Sequence, residues 1–366
     1  MKKKKIMFFI TGLGRGGAEV MLFKILPLLK NKYDIVLVSL LGKSEVGKEI
    51  SKKGINVIYL NSKGFNLFKS IFNFRRVIKQ FKPDLLFTFL IHADVFGRVF
   101  GKMFGVKKVY CSIRNDYSKV TKFYLFDRFS RFLVDKYVPN SYSLYDYLEN
   151  KVKVDRKKII VIPNAIDLND IYSQINSSFD LRKKFKINKN RSILVSIGRF
   201  KKQKDYPTLI RAINILKNKF RLKVSLILIG YGDEEKNLKS LVNELGLNDE
   251  VYFPGNCYDD RFSIVKQSDV FVLPSLTEGM SNAILEAMSL KKAIIVSNIE
   301  QNKVLIKNNE NGLTFRVGNS DDLAKKIERL IRDGKLIKDL GKKAYNDINE
   351  KYELEGVIKQ FEKVID

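Results

Sequence analysis

Along the whole chain, apolar runs of strand length alternate with helical stretches, and the alternation runs twice. In the first half, residues 5–11, 35–40, 57–60, 85–90, 109–113, 137–139 and 159–162 read as strands, with helices between them, the first at 19–29. A polar stretch, 168–190, carries no strong strand signal. The pattern then restarts, with strands at 192–198, 223–229, 251–253, 270–273 and 292–296, helices at 207–217 and 235–245, and two closing helices, the last at 353–366. Short, continuously apolar strands joined by helices form parallel, doubly wound sheets. At 366 residues the chain exceeds a comfortable single core. The expectation is an α/β protein of two Rossmann-like doubly wound domains facing a cleft, with ligands at the carboxyl ends of the strands.

Charge narrows the partners. The net charge is +28, and residues 1–170 hold 33 Lys and Arg against 14 Asp and Glu. A basic first half implies an acidic partner: lipid headgroups, a diphosphate-linked substrate or nucleic acid. A Lys- and Asn-rich background explains the total better than the asymmetry. Two cysteines, Cys111 and Cys257, and one histidine, His92, exclude a His/Cys zinc cluster. They make a disulfide framework unexpected, and a reducing cytoplasm fits best. Met1 to Lys5 resembles the start of a signal peptide, but the apolar run behind it ends at Gly12. No run approaches the ~20 apolar residues of a spanning helix.

The most pointed motif is Thr277-Glu278-Gly279-Met280-Ser281-Asn282-Ala283-Ile284-Leu285-Glu286-Ala287-Met288. Glu278 falls in a loop after the strand at 270–273. Glu286 falls inside the next helix, capped by Ser281 or Asn282. No Lys or Arg stands three or four residues from Glu286, so no intrahelical ion pair can form. Burying such a carboxylate is costly unless another group donates to it, and an acceptor-only group suits vicinal sugar hydroxyls. The loop from Gly279 to Asn282 ends at a helix N-terminus, which favours phosphate. The competing reading is a surface glutamate on an ordinary amphipathic helix.

Other motifs are open to two readings each. Gly12-Leu13-Gly14-Arg15-Gly16-Gly17 follows a strand and precedes a helix, the context of a dinucleotide loop. The second strand ends Val38-Ser39-Leu40 without the acid such a site wants, which weakens an NAD-dependent oxidoreductase. A loop admitting a substrate, or a tight turn, remains. Arg199 and Lys204 share a strand-to-helix loop, as diphosphate ligands or as a solvated basic loop. His92, after the strand at 85–90, either meets a sugar hydroxyl or helps cap a helix. Arg114 and Asn115 follow the strand at 109–113 in an equivalent place. Asp233, Glu234 and Glu235 read as helix-start acids. No Asp-x-Asp triplet is present for a metal. Residues 63–82 and 119–136 repeat Phe and Leu at helical spacing among Lys and Arg. Each is an interfacial helix or a core-facing helix with a basic outer face, and the pair in the more basic half favours membrane contact. No nucleic-acid reader motif accompanies the charge. A non-catalytic basic membrane-binding protein is the alternative outside enzymes.

Gly14-Arg15-Gly16-Gly17-Ala18-Glu19, Pro163-Asn164-Ala165-Ile166-Asp167, Gly198-Arg199 with Lys204-Asp205, and Glu278 to Met288 occur in this order. Together they resemble the retaining glycosyltransferases of family 4, over nearly the whole length. The resemblance implies the GT-B fold, with domains at 1–167 (acceptor side) and 168–345 (nucleotide sugar), and a closing helix within 346–366 that packs back on the first. It implies that Glu286 holds the ribose, that Glu278 contacts the donor sugar, and that Gly279, Met280, Ser281 and Asn282 bind sugar and diphosphate. Arg199 and Lys204 would grip the leaving diphosphate, and Gly14, Gly16 and Gly17 would line the donor or acceptor side. Many members carry a histidine where this chain reads Ser112-Ile113-Arg114-Asn115-Asp116. The sugar-contacting role is therefore divided between His92 and Arg114-Asn115. The implied activity is transfer of a hexose or N-acetylhexosamine, with a UDP-linked donor as the expectation, to a lipid-diphosphate-linked glycan. It would serve cell-surface polysaccharide synthesis (lipopolysaccharide or capsule) on the inner membrane face, with no metal or other cofactor.

Overall fold

The computed structural model of the protein describes residues 3–14, 16–61, 67–114, 121–257 and 259–366. The chain divides into two compact units, Met1–Ala165 with Leu354–Asp366, and Ile166–Glu353. The segment expected from residue 346 onward therefore splits. The helix Gly334–Lys351 stays with the second unit, and only Leu354–Asp366 joins the first.

The first sheet has six parallel strands: β1 Lys5–Ile10, β2 Asp34–Ser39, β3 Asn56–Tyr59, β4 Leu85–Phe89, β5 Lys108–Ser112 and β6 Lys136–Tyr137. Their order is β3-β2-β1-β4-β5-β6. Successive side chains of β1 point to opposite faces. Phe8 stacks on Phe87 at 5.7 Å, whereas Phe9 stacks on Phe74 of the helix Leu67–Phe81 at 4.7 Å. Both faces are covered, which is why β1 is apolar from Ile6 to Ile10. The helix Leu354–Ile365 returns to the Phe8 face, where Phe361 lies 6.0 Å from Phe87. Asp366 anchors its end, accepting from Lys32 Nζ at 2.7 Å and Tyr33 Oη at 2.8 Å. The run at 159–162 forms no strand. It makes one bridge, Ile159 to Tyr137, because β6 is only two residues long.

The second sheet contains β7 Ser192–Ile197, β8 Val224–Ile229, β9 Val251–Tyr252, β10 Val270–Leu273, β11 Ala293–Ser297 and β12 Leu313–Phe315, all parallel. Its order, β12-β11-β10-β7-β8-β9, repeats that of the first sheet when each is counted from its own first strand. Sequence reading missed β12, whose three residues follow the polar turn Asn308–Gly312. Each sheet reverses direction once, between β1 and β4 and between β7 and β10, and such a switch point leaves a crevice at the strand ends.

Gly230 directly follows β8 with φ +154°, and a Cβ there would stand 2.0 Å from the carbonyl oxygen of Gly198. Gly230→Ala is expected to destabilise the second unit by about 1–3 kcal/mol through backbone strain alone, read as a lower midpoint in urea unfolding.

A buried polar cluster ties the helix Ile91–Met103 to the helix Thr121–Ser130. Arg98 Nη2 lies 2.7 Å from Asp127 Oδ1 with both side chains fully buried, and Tyr147 Oη donates to Asp127 Oδ2 at 2.9 Å. Asp94, also buried, accepts from Thr88 Oγ1 at 2.6 Å. Burial pushes its carboxyl from 3.8 up to about 7, against the pull of Arg98. The unfolded chain loses this proton near 3.8 and the folded chain keeps it to about 7. The Asp94 contribution to stability is therefore full below that window and declines as pH rises through it. Asp94→Asn should flatten the fall in melting temperature between those pH values.

Candidate active site

The second switch point joins the residues singled out in sequence. Beyond β7 the chain runs through Gly198 and Arg199 into a single 3₁₀ turn, Lys202–Lys204. Beyond β10 it runs through Pro274 and Ser275 to Glu278. Leu276 N–H donates to the Gln203 carbonyl at 2.8 Å and fastens the two loops together. Lys204 Nζ then pairs directly with Glu278 Oε1, and Ser275 Oγ donates to the same oxygen at 2.6 Å. Both charged side chains are largely buried, 14% and 9% exposed. Gly198 makes room for this, since a Cβ there would stand 3.3 Å from Lys204 Cε. Behind Glu278 the support continues inward. Ser297 Oγ, at the end of β11, donates to the Ser275 carbonyl, and Asn302 Nδ2 donates to Ser297. The acid and base assigned to different parts of one ligand are thus held together by three strand ends. Arg199 is exposed on the same loop.

Glu286 lies in the helix Asn282–Ser289, whose cap position is Ser281. Gly279 precedes it, and Met280 is buried in the core of this unit. The missing intrahelical cation is supplied from elsewhere: Arg261, on the helix Arg261–Gln267, places Nη2 3.8 Å from Glu286 Oε1. Its guanidinium sits 4.3 Å from the centre of the Phe262 ring. Sequence reading missed Arg261 because the pairing joins residues 25 positions apart; the only local signal was a cation opening a helix.

In the first unit, Gly16 caps the helix Gly17–Leu29 in extended backbone. A Cβ on Gly16 would meet Glu19 Oε2 at 2.7 Å, and one on Gly14 would meet Oε1 at 3.5 Å. The Glu19 carboxylate folds over the loop, which gives Gly16 a steric reason, whereas the Gly14 distance is an ordinary contact. Ala93 N–H donates to Thr11 Oγ1 at 3.1 Å, so the ends of β1 and β4 meet at this switch point. His92 is exposed in the first turn of its helix, and the cap position falls on Leu90, with φ 71° and ψ 145°. Such backbone is strained for a residue with a Cβ. Arg114 is buried, donates to Asn164 Oδ1 at 2.6 Å and lies 5.3 Å from the Phe89 ring. Burial lowers its pKa to about 10. Asn115 and Arg15 lie outside the described residues.

Two family models match in tandem: Glycosyltransferase Family 4 over residues 15–170 and Glycosyl transferases group 1 over residues 177–347. The chain is a glycosyltransferase of family 4. This glycosyltransferase is 25% identical, over 93% of its length and 94% of the relative's, to the N-acetylgalactosamine-N,N'-diacetylbacillosaminyl-diphospho-undecaprenol 4-alpha-N-acetylgalactosaminyltransferase of Campylobacter jejuni. It is 29% identical to the UDP-Gal:alpha-D-GlcNAc-diphosphoundecaprenol alpha-1,3-galactosyltransferase of Escherichia coli, over 81% of its length and 78% of the relative's. Among solved structures it superposes with a TM-score of 0.85 and 19% identity on Anabaena HepE in complex with UDP and glucose, covering 99% of each chain. The fold is GT-B, two Rossmann-like α/β units in one chain.

Proposed function

We propose that this glycosyltransferase moves a hexose or N-acetylhexosamine from a UDP-linked donor to a lipid-diphosphate-linked glycan, with retention at the anomeric carbon, in cell-surface polysaccharide synthesis. The observation that carries the reading is the Lys204–Glu278 pair at the junction of β7 and β10, with Glu286 on the helix that follows. The activities that name the Campylobacter and Escherichia relatives, both on diphospho-undecaprenol acceptors, support the acceptor class. The UDP bound by Anabaena HepE supports the base.

In this reading the Glu286 carboxylate accepts from the ribose hydroxyls and Glu278 from the donor sugar. The amides from Gly279 to Asn282 face the sugar and diphosphate, at a helix N-terminus where negative charge is favoured. Arg199 and Lys204 offset the charge that builds on the diphosphate as the anomeric C–O bond breaks. The acceptor hydroxyl attacks from the same face and passes its proton to the departing phosphate oxygen, so neither a dedicated base nor a metal is required. His92 and Arg114-Asn115 are the candidates for contact with the transferred sugar, and Gly14, Gly16 and Gly17 line the donor or acceptor side. Among the described residues no helix is long and apolar enough to cross a membrane, and in this reading the enzyme works peripherally on the inner membrane face. A panel of UDP-, GDP- and dTDP-sugars with lipid-diphosphate acceptors, read by mass spectrometry, tests it. A UDP-sugar should give a product one sugar heavier, and turnover with only GDP- or dTDP-sugars would overturn the donor assignment.

A further inference from the structure

Among the described residues, every phenylalanine with more than half of its surface exposed lies in the first unit: Phe68, Phe72, Phe126, Phe129 and Phe132. Phe68 is 85% exposed and Phe132 74%, whereas no large apolar side chain described in the second unit exceeds 50%. Exposed rings gathered in this way mark a contact surface.

Their placement is ordered. In the helix Leu67–Phe81, Ser70, Phe74, Val77 and Ile78 face the core. Phe68 and Phe72, one turn apart, face outward. The same outward face continues with the exposed Arg75, Arg76 and Lys79, and the helix holds no acid. Phe126 and Phe129 are exposed on the helix Thr121–Ser130, and Phe132 on the turn Arg131–Leu133 beside the exposed Arg131. The helix Ile91–Met103 packs against both: Phe96 lies 5.3 Å from Phe74, and Arg98 meets Asp127. The three helices stand side by side, and Met103 adds a further 65%-exposed apolar side chain.

We propose that this three-helix face docks on an anionic phospholipid bilayer, with the phenylalanine rings in the headgroup–acyl boundary and the arginines and lysine at the lipid phosphates. Rings interleaved with cations match a surface that is apolar below and negative above. A second copy of the chain is disfavoured as occupant, since two basic faces repel. The docking face deepens the proposed function and rests on it only for the lipid-linked acceptor.

The test is flotation of the full chain with vesicles of phosphatidylcholine plus phosphatidylglycerol, and with phosphatidylcholine alone. The expected result is capture by the anionic vesicles only, released by high salt. Phe68→Ser with Phe72→Ser, Phe129→Ser with Phe132→Ser, and Arg75→Glu with Arg76→Glu should each lower partitioning about tenfold. All these side chains are exposed, so melting temperature and its rise with UDP should stay at wild-type values. The UDP response reads the donor site separately from the surface. Wild-type protein that stays unbound, variants that float as well as wild type, or a dimer that the same substitutions dissolve would overturn the proposal.

Discussion

Lys204→Ala is expected to lower kcat by about 10²–10³-fold, the usual cost of removing one preorganised group from a developing negative charge. The effect should fall on turnover more than on donor KM, because the diphosphate gains charge only as the anomeric bond breaks. Lys204 is suited to this role by its setting. Its Nζ is 3.6 Å from the Cβ position of Gly198, and Glu278 holds it at the end of β7. In the absence of donor, the pair keeps two largely buried charges compensated. Glu278→Gln keeps an acceptor for Ser275 but leaves the Lys204 charge without its partner, so a lower melting temperature is expected. Initial rates with a UDP-sugar, together with circular dichroism, decide the matter; a folded Lys204→Ala enzyme with near-native kcat would remove Lys204 from the chemistry.

Glu286→Gln should lower kcat/KM for the donor by about 10–100-fold, the equivalent of one charge-assisted hydrogen bond of about 1.5–3 kcal/mol. The loss should appear mainly in KM, since the ribose is bound equally in ground and transition states. A donor lacking the ribose 2′ hydroxyl sharpens the result. It should be a poor substrate for the wild-type enzyme, and Glu286→Gln should add little to that defect, as expected for two partners of one bond. Fully additive losses would place Glu286 away from the ribose. Arg261 brings a guanidinium within 3.8 Å of the Glu286 carboxylate on this apolar helix.

How much of this was legible in sequence differs by element. β1, β2, β4, β7, β8 and β10 were readable because strands covered on both faces must be apolar along their length. β12 was not, being three residues in a polar context, and the run at 159–162 read as a strand yet lacks a long enough partner. For the site, the spacing from Glu278 to Glu286 and the shared loop of Arg199 and Lys204 were visible, because each lies within one local segment. The pairing of Lys204 with Glu278 spans 74 residues and that of Arg261 with Glu286 spans 25, so neither leaves a local trace. For the glycine loop, the motif pointed to a ligand or a tight turn, and the fold adds the carboxylate of Glu19.

The sequence by itself determined two parallel α/β sheets, since local periodicity and length fix them. It also marked the acids and cations of the second half as a group. Only the tertiary structure decided which of them touch. The strand order β7-β10 brings two distant loops to one switch point, and burial then obliges each charge to find a partner. It likewise decided which phenylalanines enter the core and which stand outside. Phe68 and Phe74 belong to the same helix and residue type, and only the placement of that helix on the sheet separates a ring in solvent from a ring against Phe9.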